Sequence, residues 1–138
     1  LQPQFNLVER DEYEGDLQDL CEREGIACVP YYGLARGFLT GKYRPGGAAV
    51  DSPRAGRAAA YLERGGEEVL RVLDALASSH GVPHAAIALA WLRAQPTVAA
   101  PIASARTPEQ LEDLLPMATL ELSADELARL DAASAQPV

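Results

Sequence analysis

The sequence predicts a parallel α/β fold, and three observations carry that prediction. Short apolar runs alternate with stretches of helical periodicity along the 138 residues, as in successive β-α units. The run Val98, Ala99, Ala100, Pro101, Ile102, Ala103 has no polar residue, as in a parallel strand covered on both faces. Two of the apolar runs lead into small or glycine-rich segments holding arginine, suited to loops at the carboxyl ends of parallel strands.

The elements follow in order. Residues 1–7 read as the first strand. Residues 13–24 form an amphipathic helix with Leu17, Leu20 and Cys21 facing inward and Gly25 as its stop. The next strand spans 26–31. Residues 41–57 are rich in glycine, proline and alanine without a period, and so predict a long surface loop of the kind that is often functional. A short helical segment over 58–64 precedes Gly65-Gly66. The stretch 67–80 sets Val69, Leu70, Leu73 and Leu76 at helical spacing, and Gly81 closes it. Pro83 opens another helix, which carries Ile87, Ala90 and Trp91 inward and stops before Gln95-Pro96. After the strand at 98–103, Thr107-Pro108-Glu109-Gln110 has the form of an N-cap with proline at the first helical position. A last helix over 124–133 is opened by Ser123 with Glu126 three residues on, a capping box.

Composition narrows the function. A hydrophobic fraction of 48% with 23% charged residues suits a globular chain. The net charge of −8 and the lack of a basic stripe argue against nucleic acid as a partner. Lys42 is the single lysine, so arginine carries the positive charge. The apolar runs are too short to span a membrane and no signal-peptide pattern is present, so the expectation is a soluble, cytoplasmic protein with no membrane partner. Cys21 and Cys28 lack a metal-ligand spacing and read as two separate buried thiols. His80 and His84 flank a turn with no partner pattern and receive no catalytic role.

Two segments carry chemistry. In the first, Ser104, Ala105 and Arg106 lead into the helix start at Thr107. Small residues permit close approach, a helix start offers N–H groups, and an arginine can pair bidentately with phosphate. The plainer alternative is a strand-to-helix turn with a solvated arginine. The second, IACVPYYGLARGFLTGKYR over 26–44, joins an apolar run with two tyrosines to a glycine-punctuated loop holding Arg36, Lys42 and Arg44. Lys42 and Arg44 read as a solvated pair on the long loop.

Together, LQPQFNLVER, PYYGLARGFLTGKYR and PIASARTPEQLEDLL resemble the last three strand-loop units of the aldo-keto reductase family, in the family's order and spacing and over nearly the whole chain. The resemblance implies that residues 1–138 are the C-terminal part of one parallel (β/α)8 TIM barrel, units six to eight. Such a barrel needs about 250 residues, so the part is incomplete, with about three strands and their helices. It implies an NADP(H)-dependent oxidoreductase in the full-length parent, reducing a small carbonyl substrate to an alcohol. A tyrosine would protonate the carbonyl oxygen while the nicotinamide delivers hydride. The family's tetrad of aspartate, tyrosine, lysine and histidine would lie outside these residues, leaving no catalytic residue and no metal site here. A non-catalytic nucleotide-binding regulator like the potassium-channel β subunits, or a purely structural fragment, is the alternative. The fragment is expected to self-associate or to pair with the missing N-terminal part.

Residue by residue, the resemblance places Gln2 at the nicotinamide carboxamide and Tyr31 against the nicotinamide ring. Tyr32, Gly33, Leu34, Arg36 and Gly37 form the loop around the pyrophosphate. Many family members have serine and proline where this sequence has Tyr32 and Gly33, but backbone N–H donation survives that change. Ser104, Ala105, Arg106, Gln110 and Asp113 match the segment around the adenosine 2′-phosphate and adenine, with Leu114 where an asparagine is frequent. Arg106 implies NADP(H) over NAD(H), since a 2′-phosphate calls for a cation.

Overall fold

The computed structural model describes residues 1–47 and 55–135. Among them run six α-helices: α1 (Asp16–Glu24), α2 (Ala55–Tyr61), α3 (Glu67–His80), α4 (His84–Arg93), α5 (Pro108–Leu114) and α6 (Ala124–Ser134). Two 3-10 turns, Ala35–Thr40 and Leu115–Ala118, and a wide turn over Leu62–Gly66 join them.

Local chemistry explains the helix ends. Thr107 Oγ1 accepts the Gln110 N–H at 3.3 Å with Pro108 in the first turn. At α6 the capping box closes both ways: Glu126 Oε2 accepts the Ser123 N–H at 2.8 Å, and Ser123 Oγ accepts the Glu126 N–H at 3.3 Å. Gly25 and Gly81 end α1 and α3 in the left-handed conformation that lacks a Cβ penalty. The helix expected from residue 13 begins only at Asp16, because Gly15 (φ 89°) breaks the backbone there. This frees Tyr13 to turn into the core, where it is fully buried, whereas Leu20, expected inside, is 38% exposed.

The expected strands at 1–7, 26–31 and 98–103 do not form among the described residues. These stretches run as extended segments joined only by isolated bridges, and Leu7 already lies in the turn closed between Asn6 and Glu9. Ala99, Ala100, Ile102 and Ala103, expected to be covered on both faces, are exposed. The segments lie side by side in chain order, with parallel bridges Gln4–Tyr31 and Cys28–Val98. Between the first two, Ala27 O accepts from Leu1 N at 2.8 Å, Leu1 O from Val29 N at 2.8 Å, and Pro3 O from Tyr31 N at 3.0 Å. Between the second and third, Thr97 O accepts from Cys28 N and Cys28 O from Ala99 N, both at 2.8 Å. Proline interrupts each continuation. A rung pairing Gln2 with Val29 needs an N–H at position 3, and one pairing residues 30 and 100 needs N–H groups at 30 and 101. All three positions are proline, which has none. After that gap Ile102 N donates to Pro30 O at 2.9 Å.

Helix α4 organises the core. Residues 85–92 are all buried, so this helix is apolar all round and packed on every side. Trp91 is fully buried, 5.6 Å from the Phe5 ring, and Phe5 in turn lies 4.9 Å from Tyr13. The indole N–H donates to Asp131 Oδ1 of α6 at 2.9 Å, and the Arg10 guanidinium sits 5.4 Å above the ring. Arg10 also donates to Ser134 Oγ at 2.6 Å and pairs with Glu14 at 2.7 Å, tying the first turn of chain to the last helix. Truncating a buried side chain of this size costs about 3–5 kcal/mol. Burial pushes the Tyr13 hydroxyl up to about 12 and raises the Cys28 thiol.

The long loop read over 41–57 falls outside the described residues from 48 to 54. Its described start is not a solvated pair. Arg44 forms a bidentate pair with Asp74 of α3 (2.9 and 2.6 Å), and Asp74 Oδ1 also meets His84 Nε2 at 2.6 Å. His80, likewise without an expected partner, pairs with Glu126 of α6 at 2.7 Å.

The Arg44 hydrogen bonds, and then His84, hold the Asp74 carboxyl below its ordinary range. A carboxylate depressed in the folded state contributes stability above its unfolded value, and that contribution fades as pH falls through the folded value. Asp74→Asn should therefore lower stability at pH 7, with the gap closing below about pH 4. Urea unfolding of both proteins at pH 7 and pH 3 measures this; equal gaps would count against the clamp.

Candidate functional site

Residues 31–37 leave the second extended segment and turn back on themselves. Tyr32 (φ 55°), Ala35 (φ 48°), Arg36 (φ 58°) and Gly37 (φ 94°) all take left-handed backbone. For the three that carry a Cβ this costs roughly 1–2 kcal/mol each, so surrounding contacts must hold the loop. Within it, Tyr32 O accepts the Ala35 N–H at 2.7 Å and Leu34 O the Gly37 N–H at 2.9 Å. From below, the fully buried Asn6 donates its side-chain amide to Tyr32 O at 3.0 Å, while its own oxygen accepts the Val8 N–H at 2.9 Å. Asn6 was not a sequence candidate; an asparagine inside the apolar run Phe5-Asn6-Leu7-Val8 was the signal that could have found it.

Gly33 is buried where this loop meets α4. A Cβ there would lie 3.1 Å from a Leu89 methyl, 3.2 Å from one of Leu92 and 3.4 Å from Ile102 O. Leu34 packs on a small apolar cluster of Ala85, Leu89 and Leu114, and Ala105 packs on the same cluster from the third segment. The two segments singled out in the sequence therefore meet on one face of α4, at the carboxyl ends of adjacent extended segments.

Placement of the individual residues is uneven. Tyr31 is half-buried with its ring 5.0 Å from Tyr32 in an edge contact, and Gln2, on the neighbouring segment, is exposed. The Arg36 guanidinium covers the Tyr32 ring at 4.3 Å and donates from Nη1 to the Tyr61 hydroxyl at 2.9 Å. Ser104, Arg106, Gln110 and Asp113 are exposed. Gln110 serves the helix start, its Oε1 accepting the Arg106 backbone N–H at 2.9 Å. The Glu109 carboxylate is held low by a hydrogen bond to its own backbone and one to Thr107. An acidic group thus already occupies the start of α5, and the Arg106 guanidinium is the unspent anion partner: it finds no carboxylate among the described residues. An apolar groove of about 200 Å³ lies beside α5, lined by Leu89, Pro101, Leu111, Leu115 and Met117 among others. None of the polar site residues lines it.

With this geometry in hand, comparison with known proteins gives a consistent answer. A sequence model described as the Aldo/keto reductase family matches residues 1–135. Aldo-keto reductase AMT2 of Alternaria alternata is 33% identical over 141 residues, which take in 99% of this chain and 37% of that protein. The L-glyceraldehyde 3-phosphate reductase of Escherichia coli O157:H7 is 32% identical over 138 residues, 94% of this chain and 40% of its own. Among solved structures, the thermostable aldo-keto reductase Tm1743, in complex with the inhibitor epalrestat, superposes with a TM-score of 0.68 at 26% identity. That match covers 96% of this chain and 38% of Tm1743. The chain thus spans well under half the length of the relatives it matches. Among the described residues no helix is long and apolar enough to cross a membrane. Matched along almost its full length in both sequence and fold, the chain belongs to the aldo/keto reductase family, a TIM-barrel family of oxidoreductases.

Proposed function

We propose that these residues are the cofactor-binding, C-terminal portion of an incomplete (β/α)8 barrel, barrel units six to eight, from an NADP(H)-dependent carbonyl reductase. The observation that carries the reading is the Arg106 guanidinium, which meets no carboxylate among the described residues. It stands one residue from Ala105, whose packing on the Ala85–Leu89–Leu114 cluster is shared with Leu34 of the left-handed loop. A dinucleotide phosphate needs this pairing: backbone donors that can approach the pyrophosphate, and a cation set apart for the 2′-phosphate.

The residues fit such a group. Tyr32, Gly33 and Leu34 have backbone N–H groups that find no acceptor among the described residues. Tyr31 offers a half-buried aromatic face for a planar ring, with Gln2 as the amide beside it. Ser104, Arg106, Gln110 and Asp113 line the exposed turn where the adenosine end would sit, while Arg36 and Gly37 close the loop. When bound, the nicotinamide supplies hydride. What this chain does is bind and orient: proton transfer to the substrate oxygen falls to the family's tetrad, in residues not present here. The substrate class is a small carbonyl compound, in keeping with the name of the L-glyceraldehyde 3-phosphate reductase relative. Two buried free thiols accord with a reducing, cytoplasmic setting.

Three outcomes follow from this reading. Arg106→Ala should weaken NADPH binding about ten- to a hundredfold, the worth of a charge-assisted bond to phosphate, and leave NADH nearly unchanged. Fluorescence titration with both nucleotides measures it, and an unaltered preference would place the 2′-phosphate elsewhere. The 138-residue chain given NADPH and 4-nitrobenzaldehyde should show no turnover; steady NADPH oxidation by the pure chain would sink the assignment of the chemistry to other residues. The chain should also self-associate, because the outer edges of its extended segments find no ladder partner among the described residues and Leu1, Ile26, Ile102, Leu111 and Leu115 are exposed. Light scattering at low micromolar concentration should give a mass above 14.7 kDa, and a monomer with a cooperative melt would show that these edges are harmless.

A further inference from the structure

The left-handed loop is held from a direction that neither the sequence nor the family comparison singles out. Tyr61, the last residue of α2, is 4% exposed and accepts the Arg36 Nη1–H at 2.9 Å. Its ring lies 5.4 Å from that of Phe38, within the 3-10 turn that continues the loop. Gly66 pins the arrangement from behind: a Cβ there would come within 2.6 Å of both Phe38 Cζ and Tyr61 O, so only glycine lets the chain pass so close. Tyr61 is therefore a fixed post, whereas an arginine side chain is long and has several rotamers to lose. Among the described residues the Tyr61 hydroxyl is the hydrogen-bond acceptor that Arg36 finds, and the Tyr32 ring is what the guanidinium covers.

We propose that Tyr61 is a positioning residue for the nucleotide loop: by fixing the Arg36 guanidinium over the Tyr32 ring, it locks the left-handed backbone at Tyr32, Ala35, Arg36 and Gly37, and so the aim of the loop's backbone donors. The proposal rests on the nucleotide-binding reading given above. Both ends of the strained stretch are gripped this way. Asn6 holds the Tyr32 carbonyl from the first extended segment, and Tyr61 holds Arg36 from α2. Burial raises the Tyr61 hydroxyl, with the Glu9 carboxylate adding to the rise and Arg36 opposing it. The hydroxyl is thus neutral at neutral pH, and its oxygen is free to accept. Glu9 is itself paired with Arg64 at 3.6 Å.

Tyr61→Phe tests this with the ring, and so the core packing, kept. Tyr43→Phe is a matched control, since Tyr43 is equally buried, also lies near Phe38, and has a hydroxyl with no partner among the described residues. Hydrogen exchange at the Ala35 and Gly37 amides reads the loop directly. It should be about three- to tenfold faster in Tyr61→Phe and unchanged in Tyr43→Phe, with the Ala94 amide at the end of α4 unchanged in both. NADPH should bind about three- to tenfold more weakly to Tyr61→Phe, and Arg36→Ala with Tyr61→Phe should be no weaker than Arg36→Ala alone. Unchanged exchange at Ala35 and Gly37 would overturn the proposal, as would faster exchange with full NADPH affinity or acceleration shared by Ala94. An exchange effect in a protein whose unaltered form binds no NADPH would instead overturn the nucleotide reading, and the role of Tyr61 with it.

Discussion

Pro3, Pro30 and Pro101 each remove the donor that the next rung of a parallel pairing requires, and the architecture is shaped around that loss. Three extended segments run alongside one another, yet each pair is fastened at a single bridge with a few flanking hydrogen bonds. Backbone pairing alone would not keep them in register. The segments are held because Phe5, Cys28 and the residues near them face a helix layer whose centre, α4, is apolar on every side. Packing thus takes over the task that a continuous ladder performs elsewhere, and Arg10, Trp91 and Asp131 bind the two ends of the chain to that centre.

The geometry of the candidate site follows from the same helix. Leu34 and Ala105 belong to loops more than sixty residues apart in sequence, and they converge because each finds its apolar contact on the cluster around Leu89. Gly33 presses on Leu89 and Leu92 at a distance that leaves no room for a larger residue without a shift. Any side chain at this position would meet those same methyl groups. The glycine therefore matches the bulk of this particular α4 as much as any demand of the loop itself.

The helices were legible in the sequence because their signals are local. Thr107, Ser123 with Glu126, Gly25 and Gly81 mark ends through contacts three or four residues away, and the structure has those ends. Extended pairing is not local, and whether a proline breaks a ladder depends on which way its nitrogen faces. At positions 3, 30 and 101 that direction is set by register, which no single-chain pattern reveals. The partners of His80, His84, Arg44 and Arg36 stayed hidden for the same reason: each lies 25 to 46 residues away or, for His84, ten residues off across the turn between α3 and α4. Residue identity indicated which side chains could bind an anion. The fold decided that Arg36 is engaged by a tyrosine while Arg106 meets no carboxylate among the described residues.

Lysine scarcity acquires a practical meaning once Lys42 is placed. The chain has one ε-amine, exposed at the surface just past the 3-10 turn, 5.3 Å from the Tyr43 ring and 3.5 Å from where a Cβ on Gly37 would stand. A side-chain amine label would therefore go to a single address, at the rim of the left-handed loop. A dye placed there would sit beside the backbone whose conformation matters most, and a molecule tethered to a support through that amine would hold this rim toward the support.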